Sequence, residues 1–389
     1  MIGFKFTRKW ILFVFMIGTF SIGMTEYVVT GLLTQFAADL DVRVSTTGLL
    51  LSAYALSVAV FGPILRIITI KFSAKPLLIV LILIFIVSNT IAATAINFNI
   101  LLISRVLSAI MHAPFFGLCM SLAAYISGPQ RRTGGIAAVQ AGLTIAVMLG
   151  VPFGSYLGEL FDWRSVFWFI VILGIFALMG LIFVTPNIKS AKKPQLQKEL
   201  QMFKNKKFLL IIATVIFGYS GVFTTYTFIE PIIRDFTNFD IVGVTGVLLS
   251  FGIGAISGNI FSGRVQEDNL TKQLILTFTT LAIVLLLFTF LLQSFILAFV
   301  ISFLFGAGTF GSTPILNSKM ILAVPESPML SGTIAASVFN IANFVGATFG
   351  TLLLNNNLTF TKITFISAGM IVFGLLITLI THKIEKKTG

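Results

Sequence analysis

The sequence predicts an all-α integral membrane protein with twelve transmembrane helices in two six-helix halves. Three observations carry that prediction. The 389 residues are 57% hydrophobic and only 10% charged, whereas soluble domains average about 45–50% apolar and about 25% charged. Apolar runs of about 18 or more residues, the length that crosses a bilayer, recur along the whole chain. The second half also echoes the first.

The runs follow in order. Span 1 (10–33) comes after a basic tail and holds Glu26. It is too long for a signal peptide and no small-residue cleavage site follows it. Span 2 (47–65) lies between Arg43 and Arg66, and span 3 (77–95) opens after Lys71 and Lys75. Span 4 (100–126) holds Arg105, His112 and the single cysteine, Cys119, so no internal disulfide and no metal site is expected. Span 5 (135–157) follows Arg131 and Arg132 and carries Gly150, Pro152 and Gly154. Span 6 (166–184) follows Arg164. Residues 187–207, with seven lysines and Pro194, read as a solvated linker. Spans 7 (208–229), 8 (244–262), 9 (274–292), 10 (295–316), 11 (332–354) and 12 (363–380) complete the chain. Helices satisfy their own backbone hydrogen bonds inside lipid, and the short alternating strands of a barrel are not seen.

The net charge of +13 raises the question of nucleic acid, and its distribution answers it. With alternate loops assigned to opposite sides, Arg43, Arg164, Arg234 and Lys362 fall on one side and Arg105 lies within a span. The other 21 of the 26 Lys and Arg residues fall on the opposite side. That is the positive-inside pattern of a multi-pass cell-membrane protein with both termini in the cytoplasm. The expected partners are the bilayer, a small molecule and protons, with no nucleic acid, and the protein is expected to be a monomer.

"GLLLSAYALSVAVFGPILR" (48–66) aligns with "GVLLSFGIGAISGNIFSGR" (246–264) at an offset of 198. "IAVMLGVPFG" (145–154) aligns with "IANFVGATFG" (341–350) at an offset of 196. The matches pair span 2 with span 8 and span 5 with span 11 in the same orientation. This is a parallel repeat about an axis along the membrane normal, which places a binding site between the halves near mid-membrane. The expected divisions are 1–186, a linker at 187–207, and 208–389.

Glu26 is the one acidic residue well inside a span, with Glu230 at the end of span 7 the next nearest. A charged carboxylate at mid-membrane costs roughly 2.5–3.5 kcal/mol. Protonation removes that cost, which suits a proton carrier. Arg105 cannot shed its charge and needs a partner or a wet cavity. Glu26 and Arg105 lie about 12 and about 9 Å from the same face at 1.5 Å per residue, so they meet if their helices adjoin. His112 follows Arg105 by two turns on one face and adds a group that titrates near neutrality. These three are the candidate proton-coupling residues. Gly150, Pro152 and Gly154 form a small-residue stripe broken by proline, suited to close helix approach and to gating. Tyr54, Gln140, Tyr226, Asn340 and Asn343 are the candidate substrate ligands, because phenols and amides hydrogen-bond polyols. Each also suits plain helix–helix bonding. "GAGTFG" (306–311) fits a dinucleotide fingerprint but lies inside span 10, after no strand. No catalytic cluster and no nucleotide-binding domain is present, so no enzyme activity and no cofactor is expected, and any transport runs on gradients.

Several segments together resemble a known family. "TEYVVTGLL", "AYAL", "RVLSAIMHAPFF", "LGVPFGSYLGELFDWRSVF", "YTFIEPII" and "FNIANFVGATFG" are similar to the twelve-span drug/proton antiporter branch of the major facilitator superfamily. Within that branch they resemble most the sugar and arabinose-like efflux permeases of bacterial inner membranes. One departure lies in the 2–3 loop, where "GPILRIITIKFSAKP" lacks the acid that many members carry. The resemblance implies that spans 1 and 4 line a central cavity and that the span 5 stripe lies where the halves rock. It also implies proton-coupled antiport exporting a sugar or sugar-like compound. Efflux of chloramphenicol-like drugs or nucleosides, and sugar import by a symporter or uniporter, stay open.

Overall fold

A computed structural model of the chain describes residues 8–69, 72–128, 132–186, 200–324 and 328–388. The linker residues 187–199 and the loop cations Lys71 and Arg131 lie outside the described residues. Twelve helices have the length and apolarity of membrane spans. Spans 1–6 are Arg8–Gly31, Val44–Leu65, Ala74–Ala93, Phe98–Ser127, Ala138–Leu160 and Trp163–Phe183. Spans 7–12 are Lys206–Tyr226, Ile241–Ser262, Glu267–Leu291, Phe295–Ala323, Ile334–Asn355 and Phe360–Lys383. No strand occurs among the described residues.

The helix starts are written in the sequence. Four spans begin on an Asn or Asp whose side chain accepts from a backbone N–H otherwise left without an intrahelical partner. Asn97 accepts from Ile100, Asp162 from Arg164, Asn205 from Lys207 and Phe208, and Asp240 from Gly243. Asn205 also donates to the carbonyl of Ala323 at 2.8 Å, which ties the start of span 7 to the end of span 10.

The chain forms two compact units. One comprises Met1–Asp41 and Val60–Lys193, and the other Val42–Ala59 and Pro194–Gly389. In the first, span 1 packs on spans 5 and 6, and span 3 on spans 4 and 6. In the second, span 7 packs on spans 11 and 12, and span 9 on spans 10 and 12. The neighbour pattern therefore repeats, and so does its detail. A Cβ added at Gly150 would meet Tyr27 Cβ at 2.7 Å, and one at Gly346 would meet Phe223 Cβ at 2.7 Å. A Cβ at Gly154 would meet the Val28 carbonyl oxygen at 2.6 Å, and one at Gly350 the Thr224 oxygen at 3.0 Å. Both contacts recur at the offset of 196 seen in the sequence. Spans 1 and 7 also each run into a short helix, Leu33–Asp39 and Ile229–Phe236, whose starts differ by the same offset. The small-residue stripes thus let helices of one unit approach at backbone distance, where dispersion contacts hold them together.

Two charged residues sit differently from expectation. Lys319, counted above among loop cations, lies within span 10 and is buried, because that helix continues past its apolar run to Ala323. Its Nζ donates to Thr271 Oγ1. It borders a cavity of about 10 Å³ that Thr214, Thr378 and Thr381 also line. Glu230, placed by its sequence position at a span edge, is fully buried in the short helix after span 7 and pairs with Arg234 one turn on. Lys319→Met keeps the apolar stem and removes the buried charge together with its hydrogen bond. Such exchanges are close to neutral, so its thermal unfolding midpoint in detergent should stay near wild type, while Lys319→Asp should fall well below it.

Candidate transport site

Glu26 lies in the last turn of the α-helical part of span 1 (Arg8–Tyr27), just before the backbone tightens into a 3₁₀ turn at Val28–Gly31. Its Oε2 faces Nδ1 of His112 on span 4 at 3.8 Å. Both side chains keep a little exposure, 16% and 13%. At that separation the two attract as an ion pair once the imidazole is protonated.

Behind this pair lies a fully buried polar chain. Arg105 is 1% exposed. Its Nη2 donates to the Thr25 carbonyl at 2.8 Å and its Nη1 to Thr25 Oγ1 at 3.1 Å. The Thr25 hydroxyl donates to Asn89 Oδ1 on span 3 at 2.5 Å, and Asn89 Nδ2 donates to the Phe85 carbonyl at 2.8 Å. The guanidinium also lies 5.9 Å from the ring of Phe167 on span 6, within cation–π reach. One permanent charge is thus held by oxygens of span 1 and an aromatic face. Arg105, Glu26 and His112 meet at one junction, as their sequence positions predict. Thr25 was not among the candidates, although a hydroxyl next to the carboxylate was the available signal.

Arg105→Lys tests the fork. An ammonium cannot reach both Thr25 oxygens in the same geometry. We expect a loss of about 1–3 kcal/mol, the cost of a buried group left unsatisfied, read as a lowered unfolding midpoint of the purified protein.

Gly150 and Gly154 pack against Tyr27 and Val28, the two residues that follow Glu26, and Pro152 is buried between them in sequence. The candidate substrate ligands are scattered. Tyr54 and Tyr226 are buried, each 3% exposed, and Tyr226 stacks on Phe251 with centroids 5.2 Å apart. Gln140 is exposed. Asn340 donates to the Ala336 carbonyl of its own helix at 3.0 Å. Asn343 is half-buried, and its Oδ1 is shut from solvent with no hydrogen-bond partner. No cluster of His, Cys, Asp and Glu that could hold a metal occurs among the described residues.

Comparison with known proteins decides the family. The model of the family described as Major Facilitator Superfamily matches residues 15–351. The chain belongs to the major facilitator superfamily. An MFS-type transporter of Bacillus subtilis (strain 168), YfhI, is 43% identical over 380 residues, covering 98% of this chain and 96% of the relative. The inner membrane transport protein YdhP of Escherichia coli (strain K12) is 30% identical over 371 residues, 95% of each chain. A probable sugar efflux transporter of Helicobacter pylori (strain G27) is 30% identical over 348 residues, 88% of each chain. This member of the superfamily is therefore a multi-pass membrane transporter and not an enzyme, as composition and motifs predicted.

Proposed function

We propose that this superfamily member is a proton-coupled antiporter that exports a small molecule, a sugar or sugar-like compound first, by alternating access. The facing of Glu26 and His112 carries the reading. It is a titratable pair with residual exposure, set on a helix whose other face slides against glycines. Both termini lie in the cytoplasm, the monomer is the working unit, and residues 1–186 and 208–389 are the halves that move.

In this cycle substrate enters from the cytoplasm while Glu26 is ionised and attracts a protonated His112. Opening outward lets the carboxyl take a proton. The attraction is lost, and substrate release becomes favourable. Return with the proton bound resets the transporter. Arg105 positions span 1 through Thr25 and leaves Glu26 to titrate. Gly150, Pro152 and Gly154 act as the gate, because movement of span 1 along them carries Glu26 with it. Tyr54, Gln140, Tyr226, Asn340 and Asn343 contribute to substrate binding. Where a cycle moves net charge, each 100 mV of membrane potential adds about 2.3 kcal/mol per charge.

The test is uptake into inverted vesicles under an imposed proton gradient, with labelled sugars, nucleosides and chloramphenicol as the panel. Accumulation of a panel member that collapses on adding a protonophore supports the reading. Equilibration without accumulation makes the protein a uniporter, and substrate moving with the proton makes it a symporter.

A further inference from the structure

The repeat maps span 1 onto span 7, and at its offset of 196 Glu26 falls on Val222 and Tyr27 on Phe223. Where the first unit places ionisable groups on spans 1 and 4, the second unit places rings on the corresponding spans 7 and 10, and on span 11. Tyr219 is the anchor. It is 1% exposed, and its hydroxyl donates to the Thr309 carbonyl at 2.6 Å and lies 3.2 Å from Thr313 Oγ1. Phe223 and Phe339 both meet its ring edge-to-face, at 5.5 and 5.3 Å and 88° in each case. Phe310 of span 10 stands edge-to-face to Tyr226, one helical repeat along span 7, at 6.5 Å. Tyr219 and Tyr226 are buried, whereas Phe223, Phe310 and Phe339 keep partial exposure. The tyrosines are a fixed backing and the phenylalanines the front. Asn343, one turn beyond Phe339 on the same face of span 11, has its Oδ1 without a partner. A buried acceptor left unpaired costs stability until a donor reaches it.

Resting on the export reading above, we infer that the second unit carries a recognition site for a ring-bearing hydroxyl compound, of the aryl glycoside class. Its flat apolar ring packs on Phe223, Phe310 and Phe339, and one of its O–H groups donates to Asn343. Ring–ring packing rewards such a ligand over its alkyl counterpart beyond the area buried. A bare sugar would leave the phenylalanine front facing hydroxyls.

The experiment is equilibrium binding to the purified protein in nanodiscs, without any gradient. The matched probes are phenyl and methyl β-galactoside, and phenyl and methyl arabinoside. The phenyl member should bind about tenfold more tightly in at least one pair. Phe223→Leu and Phe339→Leu keep apolar bulk but should bring the two members of that pair within about twofold of each other. Asn343→Leu should weaken both members together. Phe217→Leu, which alters a ring 55% exposed elsewhere on span 7, should leave the preference unchanged. Equal binding of phenyl and methyl forms overturns the inference. So does a lack of saturable binding by either phenyl probe, or a preference that survives both phenylalanine substitutions. Because no proton gradient enters the measurement, failure of proton coupling leaves this result standing, and failure of the ring preference leaves the coupling intact.

Discussion

Glu26→Gln is expected to abolish accumulation driven by a proton gradient while sparing counterflow exchange. The amide matches the protonated carboxyl in shape and lacks charge, so the variant is locked into one half of the cycle. Exchange of substrate for substrate needs no proton to come or go, and it should persist. One proton coupled across one pH unit supports about tenfold accumulation, since a pH unit is worth 1.36 kcal/mol. The wild type should approach that ratio in inverted vesicles, and the variant should settle at the equilibrium level. Exchange by the wild type should also vary with pH, whereas exchange by the variant should be flat. If Glu26→Gln still concentrates substrate against its gradient, position 26 is structural and the coupling group lies elsewhere. Glu230 is the informative contrast. It is more deeply buried than Glu26, but it faces an arginine, whose charge never leaves. Burial alone therefore does not mark the proton carrier. A partner that itself titrates does.

The second large effect is expected at Gly154. Any side chain there drives its Cβ to 2.6 Å from both Val28 Cγ2 and the Val28 carbonyl oxygen. The carbonyl cannot rotate away as a side chain can. Gly154→Leu should therefore destabilise by about 1–3 kcal/mol or more, the usual cost of overpacking. It should also push span 1 away, two residues beyond Glu26, so counterflow exchange should fall as well, with Gly154→Ala intermediate. The repeat supplies an internal control. At Gly350 the nearest atom is Phe228 Cε2 at 2.9 Å, with the Thr224 oxygen at 3.0 Å. A ring can shift, so Gly350→Leu should cost less in unfolding midpoint. A Gly154→Leu protein with wild-type stability and exchange would show that close approach of spans 1 and 5 matters to neither.

What the sequence made legible divides along physical lines. The twelve spans were readable because transfer into hydrocarbon depends on local composition, which needs no tertiary context. The span ends were less readable. Hydropathy stops at the last apolar run, whereas the helix of span 10 continues until its hydrogen bonds do, and Lys319 goes inside with it. The repeat was visible as ten matching positions and then reappeared as contacts at Tyr27 and Phe223. Glu26, Arg105 and His112 stood out because a charge in oil is rare. Thr25 and its link to Asn89 did not, because hydroxyls and amides are common in spans and nothing local tells which will meet. The same gap explains Tyr226 and Asn340. A polar residue in an apolar helix announces that it needs a partner, but a one-dimensional string does not say whether that partner is a ligand, a ring or its own backbone.

The run from Arg105 through Thr25 and Asn89 to the Phe85 carbonyl has a fixed direction. Every hydrogen along it points the same way, and it terminates on an oxygen that has nothing to hand on. Such a file cannot conduct: it is an insulated stub. Hydrogen ions can therefore reach position 26 only from the flank where the imidazole stands, so the traffic is one-sided by construction.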